Sequence, residues 1–247
     1  NEDWLRNGTG GPEAMFNAPA LDDLVEQLAQ KYDLDYIGRE VIRTYVNMDT
    51  AARVSISRFV MQLTRNVERA RDIMSSDPAV DRQEREIEAL CLRMLLMQQP
   101  VARDLRLVSS ALKMITDMER IGDQAADIAE IVKYMAEREI PNAQHLKNMS
   151  EFAKGMLSSS INAFVEQNAE KARKVILDDD VVDSYFERVK ADLIESLTQS
   201  EADKEAGQFL LDILMIAKYI ERVGDHATNI AEWVVYGLTG AHPEETN

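Results

Sequence analysis

Glu119-Arg120-Ile121-Gly122-Asp123-Gln124-Ala125-Ala126-Asp127-Ile128 returns later in the chain as Glu221-Arg222-Val223-Gly224-Asp225-His226-Ala227-Thr228-Asn229-Ile230. Both copies continue with Ala-Glu and carry a tyrosine at a matching position, Tyr134 and Tyr236. The match extends outward at a constant offset of 102 residues: Asn66 to Arg71 aligns with Asn168 to Arg173, and Val80-Asp81 with Val182-Asp183. Separated landmarks in one register mark a duplication. Apolar residues around each copy recur at helical spacing, as in Leu105, Val108, Leu112 and Ile115.

Composition agrees. Hydrophobic residues make up 45% of the 247-residue chain and aromatics only 6%, a helix-forming balance poor in strand material. The formal charge of −16 argues against a nucleic-acid partner and suits one that meets cations or basic surfaces. The single cysteine, Cys91, lies among leucines and reads as a buried packing residue in a reducing compartment. No apolar run reaches the roughly 18 residues needed to span a bilayer, and the first residues do not resemble a signal peptide. A cytoplasmic location is the expectation.

The Gly- and Pro-containing start is expected to be a flexible tail followed by a short extra helix at about 21–32, together residues 1–36. The periodicity predicts a long helix over 36–75, with Asn66 marking a bend or a short break. Ser76-Asp77-Pro78 reads as the start of the next helix, because Pro is favoured in a first turn. That helix runs to about Gln98, its apolar residues including Leu95 and Leu96; Pro100 interrupts it and a third begins near Ala102. The second half repeats the plan with helices over 143–177, 179–198 and 201–237. The expected architecture is all-α: two tandem three-helix bundles, 37–139 and 140–240, with a C-terminal tail over 241–247.

Each half carries acids four residues apart in two places: Asp77 with Asp81 and Asp179 with Asp183, then Glu119 with Asp123 and Asp127, and Glu221 with Asp225, followed by Asn229. Residues four apart stack on one helix face, where like charges cost a few tenths of a kcal/mol per pair. Carboxylates converging from two helices would form an oxygen-only cage for a hard or borderline metal such as magnesium, manganese or iron, with zinc less usual. Solvated acidic faces are the bland alternative. Gly122 and Gly224 each cost about 1 kcal/mol inside a helix, so their repetition points to close approach of another helix or access to the carboxylates. Arg120 and Arg222 are expected to pair with acids of adjacent helices or stay solvated. His226, whose counterpart is Gln124, reads as a capped or exposed side chain or a lone ligand. No Glu-x-x-His pair, P-loop, Rossmann fingerprint or His-Glu-x-x-His motif is present.

The duplicated Glu-Arg-(Ile/Val)-Gly-Asp stretches, together with Gln98-Gln99-Pro100-Val101-Ala102-Arg103-Asp104-Leu105-Arg106, resemble the PhoU family of phosphate-transport regulators over roughly residues 38–238. The resemblance implies two three-helix bundles and a non-enzymatic protein acting beside the phosphate ABC transporter, through its ATPase subunit and a sensor histidine kinase, to restrain phosphate-starvation signalling. It implies peripheral association with the membrane through those partners and, by family analogy, a homodimer. It also implies metal clusters of iron, zinc, manganese or magnesium on Asp77, Asp81, Glu119, Asp123 and Asp127 in the first half, and on Asp179, Asp183, Glu221, Asp225 and Asn229 in the second. Two departures stand out. Asp127 and Asn229 differ in charge, and Ser200 to Gln208 does not reproduce the Gln-Gln-Pro-Val-Ala-Arg-Asp-Leu-Arg segment. A carboxylate-bridged metal enzyme (oxidase or phosphohydrolase) and a purely structural adaptor are the competing classes.

Overall fold

The computed structural model describes residues 67–135, 140, 142–199 and 204–242, all within one compact unit spanning Met48–Asn247; the side chains of 67–77, 79, 98 and 199 are outside the description. The tail and helices expected before residue 67 therefore lie outside the described residues. Five helices and no strand are found among the described residues: α1 (Val67–Gln98), α2 (Arg103–Tyr134), α3 (Ala143–Val165), α4 (Ala169–Gln199) and α5 (Lys204–Thr239). The chain is all-α, as its periodicity implies.

Helices α2 and α5 form the central pair. Along α2 the buried residues Val108, Ala111, Met114, Met118, Ile121, Ala125 and Ile128 recur every third or fourth position, giving one apolar stripe. Along α5 the stripe is Phe209, Ile213, Ile216, Ile220, Val223, Ala227 and Ile230. The two central helices pack on each other, α1 packs on α2, α4 packs on α5, and α3 covers both α4 and α5. Residues 102 apart fill the same places in the two halves: Val80 with Val182, Ile87 with Val189, Cys91 with Leu193, and Met118 with Ile220 are all buried. Burial pushes the Cys91 thiol up to about 11, so this cysteine is an inert core residue.

The helix boundaries depart from the sequence expectation in one consistent way. Pro78 does not start a helix; α1 runs through it. Proline removes a helical N–H and crowds the preceding turn, but Val80, Ile87 and Cys91 are buried along this helix and packing on α2 overrides the local preference. In the second half the break falls at Glu166–Asn168, not at residue 178. Gln167 takes φ 50°, and the Asn168 side chain accepts a 3.0 Å hydrogen bond from the Lys171 amide. Asn168 is thus the N-cap of α4. Asp178-Asp179-Asp180, which has the look of a first turn, lies well inside α4. Leu96, counted above among apolar helix residues, is 79% exposed.

Candidate functional site

The acidic motifs sit on the central helices, and α1 and α4 bring the second set of acids up to them. The repeated glycines set the separation. A Cβ on Gly122 would lie 3.1 Å from Val80 Cγ1, and one on Gly224 would lie 3.3 Å from Val182 Cγ1. Each glycine therefore admits a β-branched residue of the neighbouring helix into its own helix surface. Asp81 follows Val80, and Asp183 follows Val182, so the same contact delivers a carboxylate from α1 or α4 to the motif.

In the first half this produces a true convergence. Asp81, Glu119 and Asp123 each place one carboxylate oxygen so that all three lie within 4.8 Å of one another. Burial, then the Asp123 charge, raises the Glu119 pKa, with Glu84 and Asp81 adding to it. Burial and the Asp81 and Asp127 charges raise Asp123, with Arg120 acting against them. Glu84 belongs to the same group: its pKa is raised by burial, Glu88 and Asp81. It lies three residues after Asp81, on the same face, which is the signal that would have marked it. Arg120 lies 3.6 Å from Glu119 and 3.7 Å from Asp123 on its own helix, and its charge also acts on Glu84 of α1. Asp77 falls within α1, but its side chain lies outside the description.

The second half assembles the corresponding acids differently. Asp225 is raised by burial and by Asp179, Glu221 and Asp183; Asp183 by burial and Glu221; Asp179 by burial and Asp183, against a hydrogen bond from Thr228. The Thr228 hydroxyl donates to Asp179 Oδ1 at 3.1 Å. Among the described residues only the first-half trio meets the three-oxygen convergence. Glu221 is instead ion-paired with Lys218, one turn earlier on α5.

The remaining two candidates face across the junction of the halves. Asn229 Nδ2 donates to Asp117 Oδ1 at 3.0 Å, and His226 Nδ1 lies 2.9 Å from the same oxygen. On the other side of the junction the Tyr219 hydroxyl donates to Asp127, and burial followed by the Asp127 charge raises the tyrosine pKa. Asp117 and Tyr219 are equivalent positions, as are Asn229 and Asp127, so one pseudo-symmetric contact is made twice with different chemistry. Asp117 is a residue that the sequence reading passed over.

Carboxylates partly withdrawn from water, each holding the others' protons on, form a donor set that a cation would relieve. Three oxygen ligands from two helices fit a hard or borderline divalent ion, with water completing the shell.

The sequence matches the PhoU domain twice, over residues 52–132 and 146–234. A phosphate-specific transport system accessory protein PhoU homologue of Clostridium acetobutylicum is 35% identical over 211 residues, covering 84% of this chain and 93% of that protein. The phosphate-specific transport system accessory protein PhoU homologue 1 of Methanothermobacter thermautotrophicus is 35% identical over 71% of this chain and 80% of its own length. The crystal structure of PhoU from Pseudomonas aeruginosa superposes with a TM-score of 0.76 at 28% identity, covering 82% of this chain and 97% of that one. The Streptococcus pneumoniae regulatory protein PhoU gives 0.74 at 26%, covering 90% of this chain and 98% of that one. With its duplicated domain, its paired central helices and these relatives, the chain belongs to the PhoU family.

Proposed function

We propose that this protein is a metal-binding, non-enzymatic regulator of phosphate uptake, working at the cytoplasmic side of a phosphate ABC transporter. In this reading it restrains phosphate-starvation signalling through the transporter's ATPase subunit and a sensor histidine kinase, and acts as a homodimer. The observation that carries the metal part is the convergence of Asp81, Glu119 and Asp123; the transport part is supported by the relatives' names. Bound metal would neutralise acids on two helices at once and tie α1 to α2. Iron, manganese, magnesium and zinc are all compatible with a carboxylate set, the first three more naturally than zinc. Asp77 and Asp179 are further ligands in this reading, and Asp127 and Asn229 lie close enough in sequence to shape the sites from behind.

The test couples composition to signalling. Elemental analysis of the protein as isolated should find stoichiometric metal that a chelator removes, with a lower melting temperature after removal. Asp123→Asn should lose that metal and release a phosphate-starvation reporter from repression in phosphate-rich medium. Metal-free protein that represses normally would leave the acids as a solvated face and refute the metal part.

A further inference from the structure

The two acidic clusters differ at several equivalent positions outside the motifs, and two of these meet in the second half. Where the first has Thr116, the second has Lys218, and where the first has Glu84, the second has Phe186. The surrounding residues keep the register, with Val80 and Val182, Gly122 and Gly224, and Met118 and Ile220 all buried, so the substituted side chains project from matching places in the two halves. Thr116 turns back onto its own helix, its hydroxyl donating to the Leu112 carbonyl at 3.5 Å. Lys218 reaches forward. Its ammonium is paired with Glu221, whose side chain is only 15% exposed, and lies 5.5 Å from the centre of the Phe186 ring. The ring, which Lys190 also approaches at 5.6 Å, stands at the position equivalent to Glu84 and so replaces an anion with a face that favours a cation. The Lys218 charge also acts on Asp183 and Asp225, drawing both carboxyls down against the burial that raises them. Arg120 does not account for the difference, because it recurs as Arg222; in the first cluster it stands from Glu119 and Asp123 at distances longer than a hydrogen bond.

We propose that Lys218 is the resident cation of the second acidic cluster, held there by Phe186, and that the two halves consequently bind metal unequally: the first takes an ion from solution, and the second takes one only when Lys218 is displaced. This inference rests on the metal reading above for its first half, while the role of Lys218 as counter-ion stands separately. A tethered ammonium needs no free ligand, so part of the second cluster's charge stays neutralised under conditions in which the first is stripped. Thr116 against Lys218 and Glu84 against Phe186 each make the second cluster more positive by one unit at neutral pH, whereas Pro78 against Asp180 and Arg85 against Glu187 act the other way, so the placement of Lys218 against Glu221 and Phe186, not the net charge, sets the second cluster apart.

The experiment is a manganese titration of the full chain, counting free and bound Mn2+ by electron paramagnetic resonance, on the wild type, Lys218→Thr and Thr116→Lys. Melting in chelator is measured on all three. The wild type should show one tight class of sites. Lys218→Thr should gain a second class, at least tenfold tighter than any second class in the wild type, and Thr116→Lys should weaken the first class at least tenfold. In chelator, Lys218→Thr should melt below the wild type and recover with Mn2+. Two wild-type classes of equal affinity, or a Lys218→Thr protein with unaltered manganese binding, would overturn the proposal. If the wild type binds no manganese, the metal reading fails, and the chelator melting alone decides Lys218: an unchanged melting point refutes it as counter-ion, a lowered one sustains that part. Should Lys218→Thr fail to fold, Thr116→Lys gives the opposite-signed test in the other half.

Discussion

The first acidic cluster and the second arise from the same ten-residue pattern, the same glycine and the same valine from a neighbouring helix, yet they end in different electrostatic states. In the first, Asp81, Glu119 and Asp123 turn their oxygens toward one another. In the second, Glu221 turns to Lys218 and Asp179 to Thr228. The lesson is that a repeated backbone frame fixes where acids stand, while a handful of residues beside them decide whether those acids form an open cage or a closed ion-pair network.

The strongest way to break this comparison is to remove the shared frame. Gly122→Leu and Gly224→Leu should each cost roughly 1–3 kcal/mol by overpacking against Val80 or Val182, measured by urea denaturation in chelator. Only Gly122→Leu should also abolish stabilisation by added manganese. Equal loss of metal response in both would make the clusters equivalent. The junction gives the next largest contrast. Asp117→Ala leaves Asn229 and His226 without their common acceptor and should cost about 1–3 kcal/mol. Asp127→Ala removes one hydrogen bond from Tyr219 and should cost about 0.5–1.5 kcal/mol.

A smaller effect separates protons from metal. Glu84, Glu119, Asp123, Asp179, Asp183 and Asp225 all hold their protons more tightly folded than free. In that case the folded state binds more protons than the unfolded one between the ordinary carboxylate range and the raised values. Stability in chelator should therefore be greatest below the ordinary carboxylate pKa and fall as pH rises through the raised ones. Metal should flatten this slope, because it takes the place of the protons. Thermal melting from pH 4 to 7, with and without manganese, checks both statements. The smallest expected change is Glu84→Gln, which removes one like charge and should stabilise the chelated protein at neutral pH by a few tenths of a kcal/mol.

Much of this was legible in the residues alone. The 102-residue register is visible without coordinates, and the glycine in each motif announced a close helix approach that Val80 and Val182 supply. What misled was local chemistry overridden by packing: Pro78 and the Asp178-Asp179-Asp180 run carry helix-start signals, yet both lie inside continuous helices. Asp127 illustrates a second limit. Four residues beyond Asp123 it shares that residue's face, but eight residues beyond Glu119 it has drifted by about 80° around the helix, far enough to meet Tyr219 on α5. Lys218 was hidden for a simpler reason. Three residues before Glu221 it looks like any surface pair, and the Phe186 ring that distinguishes it comes from another helix.

The junction has a consequence for the origin of the molecule. Two copies of the first half set face to face in the same way would bring Asp117 against Asp127, acid on acid. Two copies of the second would set Tyr219 against Asn229 and His226, with no carboxylate to receive them. The mixed arrangement gives each carboxylate a donor. The two halves have thus diverged into complements, each presenting at the junction what the other lacks.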